Sequence, residues 1–362
     1  MDAIVQKVEA RAYQIPTERP ESDGTLEWSA TTLVTCHLTA GTFQGFGYTY
    51  ADAGAAAFID RVLGPLVRGE DPFATRALLS KLVRHARNAG FTGGAAMALS
   101  AVDVALWDLK AKLLGVSLVK LLGQARAKVP AYGSGGFTSL SPRELERQLG
   151  DWAMQGLRMV KMKVGRHPEA DPERVRLARA AVGPEVALMV DANGAYTAKE
   201  ALALADRFSE SGVVWFEEPV SSDDLEGLAL VRERAPAGMD VAAGEYGDSP
   251  RYFLRMLRAG AVDVLQADAT RCLGVTGFLA AAELADAFQL PLSAHCAPSL
   301  HAPLCAAVPR LAHLEYFADH ARLERLFLDG AAVPEGGSLV PDPSRPGLGV
   351  ELKRADAEPY AR

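Results

Sequence analysis

The chain opens with apolar and polar positions alternating every second residue. "IVQKVEARAYQI" and "TTLVTCHLTA" carry this strand period, and "AGTFQGFGYTY" adds a glycine turn and a third strand. Between the first two lies "PTERPESDGTLEWSA", polar and turn-rich apart from Leu26 and Trp28. It predicts an exposed loop, with Trp28, beside Asp23 and Glu27, as a candidate lid residue against a substrate. From about residue 52 to 122 the spacing becomes helical, most clearly in "GGAAMALSAVDVALWDLKAKLLGVSLVKLLG". An α+β unit over residues 1–125 follows.

After "KVPAYGSGGF" the rhythm changes again. Short apolar runs ("MVKMKV", "VALMVDAN", "VVWFEEP", "DVAAGEY", "VDVLQADAT", "LPLSAH", "AHLEYF") alternate with amphipathic stretches such as "AKEALALADRFSESG". Repeated βα units imply parallel strands with right-handed crossovers, and about eight of them close most economically into an α/β barrel over residues 126–324. Residues 325–362 are rich in Pro and Gly, lack this rhythm, and are expected to fold back onto the first unit.

Composition narrows the classes of partner. The 362 residues are 49% apolar and 23% charged, with a net charge of −7, which argues against a nucleic-acid surface. Cys36, Cys272, Cys296 and Cys305 share no CxxC spacing and are expected to be reduced. The N-terminus lacks the charged-then-apolar order of a secretory signal, and no apolar run reaches transmembrane length. The expectation is a cytoplasmic protein with no membrane partner, acting on a small molecule.

"MVKMKV" points Lys161 and Lys163 to one face of a strand whose other face is apolar. Two inward ammonium groups each cost several kcal/mol, of order, unless something offsets their desolvation. The carboxylates further along supply the offset. Asp191 ("LMVDAN"), Glu217 ("VWFEEP") and Glu245 ("VAAGEY") end three successive predicted strands, 26 and 28 residues apart, about one βα unit each. All three fall at the C-terminal level of the barrel, where active sites form. Converging carboxylates repel unless a cation sits among them, and all-oxygen ligation favours Mg²⁺, with Mn²⁺ second. One lysine can then neutralise a substrate carboxylate while the other serves as a base. Asp268 ("LQADAT") and His295 ("PLSAHC") end the next two strands, where the carboxylate can fix the imidazole tautomer. Glu315 ("LEYF") ends the last. His301 and His313 have no assigned role.

Lys-Met-Lys, Asp-Ala-Asn, Phe-Glu-Glu-Pro, Gly-Glu, the Asp–His pair and the final Leu-Glu occur in the order of the enolase superfamily. The chain most resembles its mandelate racemase-like subgroup, a likeness that extends to "AVDVALWDLKAKLLG". The resemblance implies a modified (β/α)7β TIM barrel under an α+β N-terminal capping domain completed by the C-terminal segment. It implies Mg²⁺ on Asp191, Glu217 (rather than Glu218) and Glu245. Lys163 would be a base on one face, and His295, oriented by Asp268, the acid or base on the other. Lys161 and Glu315 would engage a substrate carboxylate, with Ser134 as a further contact, while Trp28 and Tyr48 are substrate-contact candidates read from their place in the first loop and at the third strand. It also implies a homo-oligomer.

The absence of a lysine at the Asp268 strand end argues against the muconate-cycloisomerase pattern. The expected reaction is abstraction of the proton α to a carboxylate, most simply in an acid-sugar dehydratase giving a 2-keto-3-deoxy acid. Racemisation or epimerisation of a 2-hydroxy acid and cycloisomerisation of a sugar lactone or anhydro acid use the same intermediate. A Schiff-base aldolase and a non-catalytic metal-binding homologue are the rivals from other classes.

Overall fold

The computed structural model describes residues 3–362. It begins with an antiparallel meander of β1 (Lys7–Ser22), β2 (Glu27–Ala40) and β3 (Phe43–Tyr50). The loop expected over residues 16–30 is instead the far end of the β1–β2 hairpin, and only residues 23–26 turn. The carboxylate of Asp23 makes that turn by accepting from the backbone N–H of Thr25 (2.6 Å) and Leu26 (2.7 Å). Two prolines made this stretch look like a loop. They are tolerated because β1 is an edge strand and its register with β2 slips between Pro16 and Glu21.

The long helix Gly94–Leu113 packs against β3 and is buried on nearly every side. Close approach requires Gly47, where a Cβ would lie 2.2 Å from the Ala101 carbonyl oxygen. From this helix Asp103 accepts from the Thr276 backbone N–H (2.9 Å) and hydroxyl (2.8 Å), tying cap to barrel. Asp108 accepts from the N–H of Phe46 and of Leu348, both at 2.7 Å, tying β3 to the C-terminal segment. These two buried acids explain the polar positions in the otherwise apolar "AVDVALWD" stretch.

Eight parallel strands follow: β4 (Val129–Gly135), β5 (Met159–Lys163), β6 (Ala187–Asp191), β7 (Val213–Glu217), β8 (Asp240–Ala243), β9 (Val264–Ala267), β10 (Leu292–Ala294) and β11 (Leu311–Phe317). They pair in sequence order, and β11 closes onto β4 from Leu314↔Ala131 to Phe317↔Ser134. Each is followed by a helix, the last by Ala318–Phe327, so the architecture is the enolase-type α/β barrel beneath an antiparallel capping sheet. Tyr132, Met189, Trp215, Ala242 and Val264 fill the barrel interior below the mouth. The tail touches both units. Ser338–Leu339 pairs with Val129–Pro130 of β4, while the Arg362 N–H donates to Ala12 of β1 at 2.9 Å. Among the described residues no helix is long and apolar enough to cross a membrane.

Candidate active site

Strand register puts the first cluster together. Lys163 pairs with Asp191 across β5–β6, and Asp191 with Glu217 across β6–β7, so all three sit at one level. Glu245 joins them after Gly244, whose φ of +132° and close approach to Gln266 O (2.2 Å from a built Cβ) exclude a side chain. Oxygens of Asp191, Glu217 and Glu245 lie within 4.8 Å of one another, and all three residues are buried. Lys163 Nζ is 2.5 Å from Asp191 Oδ2. Lys161 Nζ, fully buried, reaches Glu217, Asp191 Oδ2 (3.2 Å) and Glu315 Oε1 (2.9 Å).

Burial opposes ionisation of Asp191, but Lys163 and Lys161 outweigh it and hold the carboxyl below its usual range. Burial and the neighbouring Asp191 charge raise Glu217 instead. Burial also works against the charged lysines, yet Asp191 keeps Lys163, and Glu217 and Glu315 keep Lys161, firmly protonated. A lowered lysine pKa, expected beside a cation, is therefore not a property of these residues alone.

One finding departs from strand alternation. Glu217 and Glu218 are both buried, because Glu218 adopts a φ of +39° and leaves the strand path. Its Oε1 has no hydrogen-bond partner, and burial together with Glu245 and Asp191 raises its pKa well above the carboxylate range. The mouth thus gathers six carboxyl groups (Asp191, Glu217, Glu218, Glu245, Asp268 and Glu315) around Lys161, Lys163 and Arg271. That surplus, offered by oxygen donors alone, suits a hard divalent cation.

The opposite side of the mouth carries the Asp–His pair. His295 Nδ1 donates to Asp268 Oδ2 at 2.9 Å, leaving Nε2 facing Glu245 Oε2 (3.4 Å) and Glu315 Oε2 (3.6 Å). Burial disfavours the imidazolium, but Glu245, Glu315 and the Asp268 bond together raise its pKa. His301 is a bracing residue. Its Nε2 accepts from the Ala269 N–H (2.8 Å) and its Nδ1 donates to the Cys296 carbonyl (2.8 Å), joining the loops that bear Asp268 and His295. His313 bonds Ser293 Oγ at 2.9 Å.

A cleft of about 390 Å³ joins these groups to the hairpin, with Lys163, Glu245, His295, Glu315 and Trp28 in its wall. Trp28 is half-buried, edge-on to Phe137 at 5.7 Å, and its indole N–H donates to Glu21 at 3.0 Å. One expected substrate contact lies elsewhere. Tyr48 is fully buried behind the cleft, where its hydroxyl donates to Glu324 at 2.7 Å. Ser134 is buried beside Lys161 in the β4–β5 register, its hydroxyl without a hydrogen-bond partner. Glu315 stands two residues before the end of β11 rather than at it.

Sequence reasoning missed Arg271, which lines the cleft and donates to Glu245 Oε1 at 3.2 Å. Its signal was available: it lies three residues after Asp268, one helical turn into the same loop. Tyr50, not Tyr48, reaches the cleft, with its ring stacked on His320 at 3.5 Å. Cys296 lines it as well.

Comparison with known proteins agrees with this arrangement. Residues 8–123 match the mandelate racemase/muconate lactonizing enzyme N-terminal domain, and residues 144–357 the enolase C-terminal domain-like model. L-talarate/galactarate dehydratase of Salmonella typhimurium is 33% identical over 316 residues, 86% of this chain and 77% of that protein. The 3,6-anhydro-alpha-L-galactonate cycloisomerase of Streptomyces coelicolor is 32% identical over 357 residues, covering 96% and 97%. Among solved structures, a mandelate racemase/muconate lactonizing enzyme-like protein from Rubrobacter xylanophilus superposes with a TM-score of 0.97 at 52% identity, covering 99% of this chain and 100% of that one. A racemase from Streptomyces coelicolor A3(2) with bound magnesium gives a TM-score of 0.94 at 30% identity, covering 99% and 100%. The chain is an enzyme of the mandelate racemase/muconate lactonizing enzyme family of the enolase superfamily, among relatives that are dehydratases and isomerases.

Proposed function

We propose that this enzyme removes the proton α to the carboxylate of a polyhydroxylated acid and expels the β-hydroxyl, giving a 2-keto-3-deoxy acid. The observation that carries the reading is the placement of Lys163 and the Asp268-oriented His295 on either side of a carboxylate trio, in one polar cleft. Asp191, Glu217 and Glu245 would hold Mg²⁺, as their donor set and the magnesium in a relative suggest. Held there, the ion would supply the positive charge that an enediolate needs.

The remaining work belongs to the chain. Lys161 receives the substrate carboxylate by charge, and Glu315, held ionised by Lys161 and His295, fixes the position of that ammonium. Lys163, having released its own proton to solvent before substrate binds, takes the α-proton at Nζ. His295, whose neighbours favour the imidazolium, gives its Nε2 proton to the departing hydroxyl, which leaves as water. Asp268 holds the ring for that transfer. Asp23, Thr31, Asp52 and Asn193 in the cleft wall offer partners to several hydroxyl groups, which favours a sugar acid over an aromatic one.

The full-length similarity to a cycloisomerase supports a second outcome of the same abstraction, in which the β-oxygen is part of a ring. Incubating the Mg²⁺-loaded enzyme with a library of aldonic, aldaric and anhydro acids in D₂O tests both. Dehydration gives a 2-keto product, and cycloisomerisation an isomer carrying deuterium. Neither product, with no α-proton exchange across the library, rejects the proposal.

A further inference from the structure

His295, Cys296 and Glu315 meet in a way the reaction does not use. Cys296 and Ala297 are successive non-glycine residues with left-handed backbone, φ +51° and +40°. This turn brings the thiol back beside the histidine that precedes it. Cys296 Sγ lies 3.3 Å from His295 Nε2 and 3.4 Å from Glu315 Oε2, and that nitrogen and oxygen are 3.6 Å apart. Bonds of about 2.3 Å to sulfur and about 2.0 Å to nitrogen and oxygen, at tetrahedral angles, separate ligands by about 3.3–3.6 Å. The three side chains already stand at the corners of a tetrahedral face.

We infer that His295 Nε2, Cys296 Sγ and Glu315 Oε2 form a second metal site, selective for a thiophilic divalent ion such as Zn²⁺ and separate from the all-oxygen trio. Sulfur and imidazole donors favour zinc over magnesium. Asp268 on Nδ1 supplies the carboxylate–histidine support common at such centres. Lys161 occupies Glu315 Oε1, while Oε2 accepts from the Cys296 backbone N–H (2.9 Å) and keeps a second lone pair for the ion. Glu245 Oε2, buried and without a hydrogen-bond partner, faces the same imidazole nitrogen at 3.4 Å and adds negative charge toward the site. The fourth position opens to the cleft. Binding expels the thiol proton, and that of Nε2 when present, to solvent, so affinity rises with pH. The functional consequence rests on the proposed reaction: with Nε2 ligated, His295 can neither give nor take a proton, and excess Mg²⁺ does not reverse the block.

Cobalt(II) added to the full-length, Mg²⁺-loaded enzyme reads the site without turnover. The expected result is a thiolate-to-cobalt charge-transfer band saturating at one equivalent, abolished by Zn²⁺ and absent in Cys296→Ala. No band in the unaltered enzyme, or an undiminished band in Cys296→Ala, overturns the inference. Should that variant not fold, X-ray absorption of the zinc-loaded natural chain decides: one sulfur at about 2.3 Å supports the site, and only nitrogen and oxygen neighbours reject it. Absence of α-proton exchange in the Mg²⁺-loaded enzyme before cobalt is added, with the band intact afterwards, would count against the reaction, not the metal site.

Discussion

On the barrel side of the cleft, the ionisable groups sit on or just beyond the ends of strands in a closed hydrogen-bonded ladder. On the hairpin side, the β1–β2 tip reaches the barrel by one backbone bond, from the Thr138 N–H to the Ser22 carbonyl (2.8 Å), and otherwise by side chains. Ser22 meets Thr138 (2.6 Å), Thr31 meets Asp319 (2.6 Å), and Glu27 meets Arg166 (3.2 Å). Arg322 holds the Pro16 carbonyl at 3.1 Å. Barrel groups are placed by backbone register and can be held to the tolerance that proton transfer needs. The hairpin is held by a few polar contacts rather than by a continuous ladder, so it can vary or shift without disturbing the chemistry. The contrast separates reaction from recognition.

Four experiments would break or sharpen it. Asp191→Asn should have the largest effect, since it removes a carboxylate that bonds both lysines. Magnesium affinity by calorimetry and α-proton exchange by NMR should both collapse, the latter by about 10³-fold or more. Retained exchange would mean that the trio is structural.

Lys163→Ala and His295→Asn should each lower turnover by about 10²–10⁴-fold while magnesium affinity persists. Deuterium exchange should survive in His295→Asn if the lysine alone starts the reaction.

Trp28→Ala tests the other wall. Losing a half-buried aromatic contact is expected to raise KM about tenfold and leave kcat nearly unchanged. A kcat loss as deep as that of the barrel variants would erase the distinction.

The smallest effect concerns Glu21. Burial, reinforced by Asp319, pushes its carboxyl from 4.5 up to about 8. The folded state therefore binds the extra proton, so docking is firmest at acid pH and weakens as pH rises from about 4.5 through about 8. Hydrogen exchange of residues 16–30 should quicken across that window, and Glu21→Gln should flatten the change.

Much of the barrel was legible because two periods constrain it. A strand sends alternate residues inward, and a βα unit has a narrow range of lengths, so acids 26 and 28 residues apart fall at one level. The tip of the hairpin was not legible. Pro16, Pro20 and a polar composition describe a loop and a docked edge strand equally well, and the difference lies in contacts to Thr138, Asp319 and Arg322 on the barrel.

Tyr48 and Tyr50 show where that boundary runs. Period two puts both on one face of β3, yet Tyr48 meets Glu324 while Tyr50 reaches the cleft. Glu218 shows the same limit, since its left-handed backbone defeats the alternation that would have turned it outward. Local sequence specifies period, level and side-chain chemistry, because these follow from bond geometry and spacing. Which surface covers a given face is a nonlocal question, answered only when cap, barrel and C-terminal tail pack together.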